Sequence, residues 1–217
     1  MHRWRTRPGP VLGGACSAVL LAMGLSACGP PAYRFEASDT NDLVLKVPRS
    51  WSLVRSGVPA NSDGTPADAG NWLAVFDSAS RPSLDHASSH HAVAPVAVVR
   101  TVVVTKDQGA AASDDTLRDL LWPVSSAGRQ AAAATGFTGT NFSMMSDQII
   151  NTKQAHGVHV VYAYNLGEGL EVYDQIAVTD ASKTRVHVFF VHCTKSCYQA
   201  NRPQITATVR SFTVKTP

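Results

Sequence analysis

The chain has 217 residues, a formal net charge of +3 and a hydrophobic fraction of 44 %. Residues 1–27 hold three of its 19 basic residues and none of its 16 acidic residues, so residues 28–217 carry no net charge. A nucleic-acid partner would require an excess of positive charge, and the composition gives it no support. The remainder is long enough for one domain with its own hydrophobic core.

Residues 1–27 have the three parts of a secretory signal. Arg3, Arg5 and Arg7 form a positive segment, and a mostly apolar run over 11–25 follows it. The run is interrupted by glycine and is too short for a membrane-spanning helix, which takes about 20 apolar residues. Leu25-Ser26-Ala27-Cys28 then resembles the lipobox of bacterial prolipoproteins.

This resemblance implies cleavage between Ala27 and Cys28 and a lipid on the thiol of Cys28. The protein is then expected at the extracytoplasmic face of the cell membrane, with the membrane itself as a partner through the lipid anchor. Residues 28–32 form a short tether of little more than about 10 Å. The alternative is an ordinary secreted protein with an incidental cysteine.

Cys193 and Cys197 are expected to form a disulfide, because disulfides persist outside the cytoplasm. Two cysteines four apart on one helix have Cβ atoms about 5–6 Å apart, beyond the usual ~3.8 Å of a disulfide. The pairing therefore predicts a strand-to-helix turn at 193–197. Two free thiols or a metal-binding pair are the alternatives.

The first half of the chain predicts mainly strands and loops. Strands are expected at 33–37, 43–47, 72–76 and 95–105, with a short one near 53–54. Residues 56–70 and 78–94 are expected to be loops because they are rich in turn-forming and polar residues. Trp51 is expected to pack on the core.

The second half predicts helices around an antiparallel meander. A helix is expected over 113–121, capped by Ser113, and a second helical piece over 127–134. Strands follow at 142–152, 158–165, 170–179 and 184–192, joined by short turns. A closing helix over 198–212 presents Ile205, Val209 and Phe212 as an apolar stripe, and Pro203 favours a start near Asn201.

The chain contains no standard catalytic signature, so a non-catalytic role with no cofactor is expected. The sharpest candidate site is His86, His90 and His91, which could place two imidazoles on one metal ion if the segment were helical. Asp85 could orient one of them. The alternative is a solvated loop.

Other titratable residues cluster in the last third. His159 and His187 would come close and respond to pH if their strands paired. Glu168, Glu171 and Asp174 fall at or near a turn. The tyrosines of this region are expected to alternate between core and surface: Tyr162, Tyr164 and Tyr173.

The order of elements is similar to the PsbP/Mog1-like superfamily. The features that carry the resemblance are a hairpin leading into Val47-Pro48-Arg49-Ser50-Trp51, a meander, and a final helix closing with Ser211-Phe212 before Val214. The resemblance would cover about residues 33–215. The chain also resembles actinobacterial lipoproteins of the LpqN type. The resemblance implies an antiparallel sheet between helices and a role in binding or assembly, and it carries over no catalytic residues.

The sequence therefore predicts an α+β protein with an antiparallel sheet of about six to eight strands flanked by helices, as one domain over 33–217. The expected function is a membrane-anchored, non-catalytic binding or assembly module with an envelope protein as partner. The alternatives are a cell-envelope hydrolase and a lipoprotein that binds a metal or a small ligand. A small molecule or lipid in a pocket beneath the sheet is the ligand-binding form of that hypothesis.

Overall fold

The computed structural model describes residues 32–38, 42–60, 65, 68 and 70–215. The predicted signal, the lipobox with its Ala27–Cys28 cleavage site, and residues 28–31 of the tether lie outside the described residues. No described helix combines the length and the apolar character that crossing a membrane requires.

The domain is built on a seven-stranded sheet in which every pairing is antiparallel. Its strands are rich in β-branched residues, which favour strand formation because such side chains pack well on a pleated surface. In spatial order the strands are β3 (Ser52–Gly57), β4 (Trp72–Asp77), β5 (Val96–Val103), β9 (Arg185–Thr194), β8 (Leu170–Asp180), β7 (Ala155–Asn165) and β6 (Thr140–Asn151).

A smaller sheet consists of β1 (Tyr33–Ser38), β2 (Leu43–Pro48) and β10 (Thr213–Val214), with β2 in the centre. The predicted strands therefore all occur, and β10 is an addition that the sequence did not predict. The α+β class and the strand number are confirmed.

Four α-helices complete the fold: α1 (Lys106–Ala111), α2 (Asp114–Arg118), α3 (Ser126–Ala134) and α4 (Lys195–Val209). Each begins after a Ser or Thr whose hydroxyl accepts a hydrogen bond from a backbone N–H of the first turn, which satisfies a donor that the helix itself leaves free. A short 3₁₀ turn, Leu84–Ala87, lies within the predicted loop 78–94.

Two predictions about the helices are wrong in detail. The helix expected over 113–121 ends at Arg118, and α1 precedes it, begun by a capping box between Thr105 and Gln108. The closing helix begins at Lys195 and runs through Pro203. Pro203 is on the exposed side of α4, where water can satisfy the carbonyl that loses its partner.

The helices lie on opposite faces of the large sheet. Asp174 accepts a hydrogen bond from Tyr198 of α4, and the next residue, Gln175, donates to the carbonyl of Leu117 in α2. Successive residues of a strand point to opposite faces. We call these two surfaces the α4 face and the α2 face.

The α4 face is closed by apolar packing. Ile205 and Val209 are fully buried, and the rings of Phe189 and Phe212 stack with centroids 5.6 Å apart. Trp51 is buried as predicted and its indole N–H donates to Gln204 over 3.3 Å. Ile205 and Val209 confirm the apolar stripe, but the closing helix ends at Val209 and not at 212, so Phe212 lies three residues beyond it.

Candidate ligand-binding groove

The α2 face carries a groove of about 540 Å³ over strands β5 and β9. This volume is typical of sites that bind small molecules, which span roughly 300–1,000 Å³. Its walls are the segment that follows β3, at Pro59 and Ala60, and the segment that follows α2, at Leu120 and Leu121. The groove is larger than the cavities that His187 and His91 line.

The floor of the groove follows from the alternation in two neighbouring strands. Val98 pairs with Phe190 and Val102 pairs with Val186 in the register of β5 and β9. Cross-strand partners share a face, so these four side chains form one apolar surface. Phe190 also pairs with Gln175, which places that surface on the α2 face.

The floor stays open because the helical cover of this face is short. Helix α2 has five residues and lies over β7 and β8. Arg118 fixes it there through Asp147 of β6, with Nε and Oδ2 2.9 Å apart, and the hydrogen bond to Asp147 raises the pKa of Arg118. Beyond Arg118 the carboxylate of Asp119 accepts from the backbone N–H groups of Val124 and Ser125, turning the chain into α3.

Arg100 is the charged residue among the described side chains that line the groove. It lies in the middle of β5, between Leu73 of β4 and Val188 of β9, and is exposed. A guanidinium has five N–H donors and binds carboxylates and phosphates through them. The groove therefore combines an apolar floor with one cationic anchor.

The three histidines of the candidate metal site point to three different places. His86 Nδ1 lies 2.6 Å from Oδ2 of the buried Asp77. His90 packs on Trp122, with ring centroids 5.5 Å apart, and His91 lines a shallow surface pocket beside Lys195. Among the residues that the structure describes, no three His, Cys, Asp or Glu side chains are arranged to hold a metal ion. The structure thus does not bring the candidate ligands together.

The two cysteines are brought together. Cys193 lies near the end of β9 and Cys197 in the first turn of α4, with Cα atoms 5.9 Å apart, and their sulfurs are bonded. The strand-to-helix turn that the spacing predicts is present, with Thr194 as the helix cap.

The sequence did not predict two buried polar networks on β8. Glu171 is fully buried and its carboxylate accepts from His192 Nδ1 over 2.9 Å and from the Tyr173 hydroxyl over 3.1 Å. On the opposite face, Asp174 accepts from His159 Nε2 over 2.7 Å and from Tyr198. Burial raises the pKa of Tyr173 and of Tyr198, and the neighbouring carboxylates add to it.

These networks change the role expected of the acidic residues. Glu171 and Asp174 lie close to the β7–β8 turn, as the sequence predicts, but they point into the interior on opposite faces. Carboxylates that accept two or more hydrogen bonds are stable when buried. The sequence signal that could have found these networks is a histidine on the strand next to each acid, His192 for Glu171 and His159 for Asp174.

The alternation expected of the three tyrosines is wrong. Tyr162, Tyr164 and Tyr173 are all buried, with at most 2 % of each exposed. Residues two apart on a strand share a face, and Tyr162 is the cross-strand partner of Tyr173, with stacked rings 5.4 Å apart. All three therefore lie on the α2 face.

The approach of His159 and His187 is also wrong, because β8 lies between their strands. His187 is fully buried on the α4 face, with Nδ1 3.0 Å from the hydroxyl of Thr101. Burial lowers the pKa of His187 to about 4. Its Nε2 has no hydrogen-bond partner among the described residues, and His187 lines a cavity of about 50 Å³, large enough for water.

No protein-family model and no curated protein matches the chain. Solved structures match it at low identity. The cyanobacterial PsbP of Synechocystis sp. PCC 6803 is 12 % identical, with a TM-score of 0.48, over 93 % of this chain and 98 % of that one.

Two further structures align similarly. The Ran-binding protein Mog1p of Saccharomyces cerevisiae is 9 % identical, with a TM-score of 0.45, over 84 % of this chain and 95 % of that one. LpqN of Mycobacterium tuberculosis, described as involved in cell envelope biogenesis, is 11 % identical, with a TM-score of 0.39, over 80 % and 83 % of the two chains. At these values we base no functional argument on the similarity.

Proposed function

We propose that the chain is an exported lipoprotein, held at the outer face of the cell membrane by the lipid on Cys28, and that its domain binds an apolar or amphipathic small molecule. The observation that carries the binding proposal is the 540 Å³ groove of the α2 face. The anchor rests on the lipobox in the sequence.

The ligand class follows from the chemistry of the groove. The floor of valine and phenylalanine side chains favours an aliphatic chain or a flat apolar ring, because apolar area removed from water stabilises a complex by roughly 25 cal/mol per Å². Arg100 favours a carboxylate, sulfate or phosphate at one end of that ligand. We therefore propose an acyl-type amphiphile with an anionic head.

The proposed role is binding and not catalysis. Arg100 is the titratable residue that lines the groove among the described side chains. An arginine stays protonated in proteins and donates hydrogen bonds, so it orients an anion and does not transfer protons.

The binding proposal is tested with a dansyl-labelled fatty acid and residues 28–217 carrying Cys28→Ala, which keep every described residue and lack the apolar signal segment. Val102→Trp fills the groove and should weaken binding of the fatty acid at least about tenfold. Val103→Trp is the matched control, because Val103 is the next residue of β5 and lies on the other face.

The control variant should bind within about twofold of the parent chain. Equal weakening by the two substitutions, or no saturable binding by the parent chain, would contradict the proposal. Arg100→Gln refines it: we expect roughly three- to tenfold weaker binding of the fatty acid and unchanged binding of the corresponding fatty alcohol.

The anchor is tested separately. In a bacterial host, Cys28→Ala should abolish incorporation of radiolabelled palmitate, and the chain should be either released from the membrane or left with its signal uncleaved. A cleaved Cys28→Ala chain that stays with the membrane would contradict the anchor.

A further inference from the structure

One end of the large sheet lies next to the point where the tether enters the domain. The carbonyl of Ala32 accepts a hydrogen bond from Arg49 N over 3.0 Å, and three residues after Arg49 the chain enters β3 at Ser52. Three residues reach at most about 10 Å. Ala32 itself is four residues after Cys28, or at most about 13 Å from it.

The strand register shows which residues of the neighbouring strands lie at this same end of the sheet. Ser52 pairs with Asp77, Asp77 with Val96, and Val96 with His192. Neighbouring strands are about 4.8 Å apart, so the row extends roughly 14 Å from β3 to β9. We call this row and the loops beyond it the tether end.

The opposite end is identified by an independent contact. Asp42, just before β2, lies 3.7 Å from Arg185 at the start of β9. The hairpin of β1 and β2 therefore runs from the tether end, at Tyr33, to the opposite end. Lys153, Ala181 and Lys183 lie in the turns of that opposite end.

The tether end carries an apolar protrusion. Residues 78–95 join Asp77 to Val96 there, and Val93 is 74 % exposed, the highest exposure among the large apolar side chains that the structure describes. Leu84, in the 3₁₀ turn of the same loop, is 39 % exposed. His86 and Asp77 hold that turn against the end of β4.

Basic side chains lie at the same end of the sheet as this protrusion. Arg49, Arg81 and Lys195 are exposed at the tether end, together with the acidic Asp85 and Glu168. An exposed apolar side chain at an end that also carries Arg and Lys suits the interface of a bilayer that contains anionic lipids, because such lipids attract basic residues near the surface.

We infer that the tether end, with Val93 and Leu84 at its centre, lies against the lipid bilayer and inserts these side chains at the headgroup level. The inference rests on the proposed anchor at Cys28, whose short connection to Ala32 leaves this end next to the membrane. It does not depend on ligand binding in the groove. Its consequence is a fixed orientation, with Asp42, Lys153 and Lys183 directed away from the membrane.

The test uses the full acylated chain in vesicles of phosphatidylcholine and phosphatidylglycerol that contain a nitroxide-labelled lipid. A fluorophore is attached to Val93→Cys or, as matched control, to Ala181→Cys at the opposite end. Cys16 leaves with the cleaved signal, so the acylated Cys28 and the Cys193–Cys197 disulfide leave only the introduced thiol free to react. We expect the quenching constant at position 93 to exceed that at position 181 at least about fivefold.

Charge-reversal variants test the same orientation of the domain on the membrane. Arg81→Glu with Lys195→Glu should at least halve the quenching at position 93, whereas Lys153→Glu with Lys183→Glu should leave it unchanged. Equal quenching at the two label positions, in protein that floats with the vesicles, overturns the orientation and leaves the anchor intact. Protein that does not float with the vesicles overturns the anchor and the orientation together.

Discussion

The two faces of the seven-stranded sheet are formed by the same strands and differ in the helices that pack on them. On the α4 face a helix of 15 residues lies over β8 and β9 and is joined to β9 by a disulfide. On the α2 face the described helix that contacts the sheet is α2, which has five residues. A helix this short covers part of a wide sheet, so the floor over β5 and β9 is open to the extent that the structure describes that face.

Because of this difference, we assign folding stability mainly to the α4 face and ligand binding to the α2 face. A fully covered surface contributes its apolar area to folding, whereas an open apolar surface remains available to a ligand. We therefore expect substitutions on the α4 face to change the free energy of unfolding and those in the groove to change affinity. The predictions below test this division.

The largest expected effect is a truncation on the α4 face. Ile205→Ala should lower the free energy of unfolding by about 3 kcal/mol, because Ile205 is fully buried and a cavity would remain. Val186→Ala, in the groove floor and already partly exposed, should lower it by about 1 kcal/mol or less. Urea unfolding of the two variants measures both. Equal losses would remove the distinction between the faces.

Acid should also act through the α4 face. His187 has a pKa of about 4 in the folded chain and an ordinary value of 6.5, so between these pH values the unfolded chain binds a proton that the folded chain does not. Stability should therefore fall as pH falls from 6.5 to 4, by up to about 3 kcal/mol from this residue.

The contribution of His187 is isolated by comparing the pH dependence of unfolding in the parent chain and in His187→Gln. The variant should show a flatter profile over this window. A His187→Gln profile that parallels the parent would contradict the assignment.

The disulfide should contribute an intermediate amount. Cys193→Ala with Cys197→Ala should lower the free energy of unfolding by about 2 kcal/mol, as expected for a bond that closes a very short loop. Fatty-acid affinity should stay within about twofold, since the bond lies on the α4 face. A larger loss of affinity would show that the two faces are coupled.

The smallest expected effect concerns the ion pair that holds α2. Arg118→Gln should lower stability by about 1 kcal/mol or less, because the pair with Asp147 is partly exposed. The loss should shrink in high salt. Thermal unfolding at low and high ionic strength checks this, and a loss that does not depend on salt would indicate packing and not charge.

Local patterns predicted most of the sheet. The valines of β5 and the short turns between β6, β7, β8 and β9 are properties of neighbouring residues, and the structure confirms those elements. Helix α1 was missed although Thr105 and Gln108 form a capping box, because Gly109 and the short length weaken the helical pattern.

The groove could not be predicted from local sequence patterns, for a physical reason. Whether Val188 and Phe190 are covered depends on where α2 ends and which strands it crosses, and these are long-range properties. One signal was visible: Arg100 interrupts a valine-rich strand, which would be costly in a sealed core. The lipid on Cys28 stays a prediction of the sequence, since that residue lies outside the described part of the chain.

The most direct test of the central claim is methyl NMR of valine-labelled protein titrated with a fatty acid, using the Cys28→Ala chain. We predict that the shifts are confined to groove valines such as Val102, Val186 and Val188, and that Val191 and Val209 of the α4 face stay in place. Shifts of equal size on both faces, or none up to the solubility limit of the fatty acid, would contradict the account.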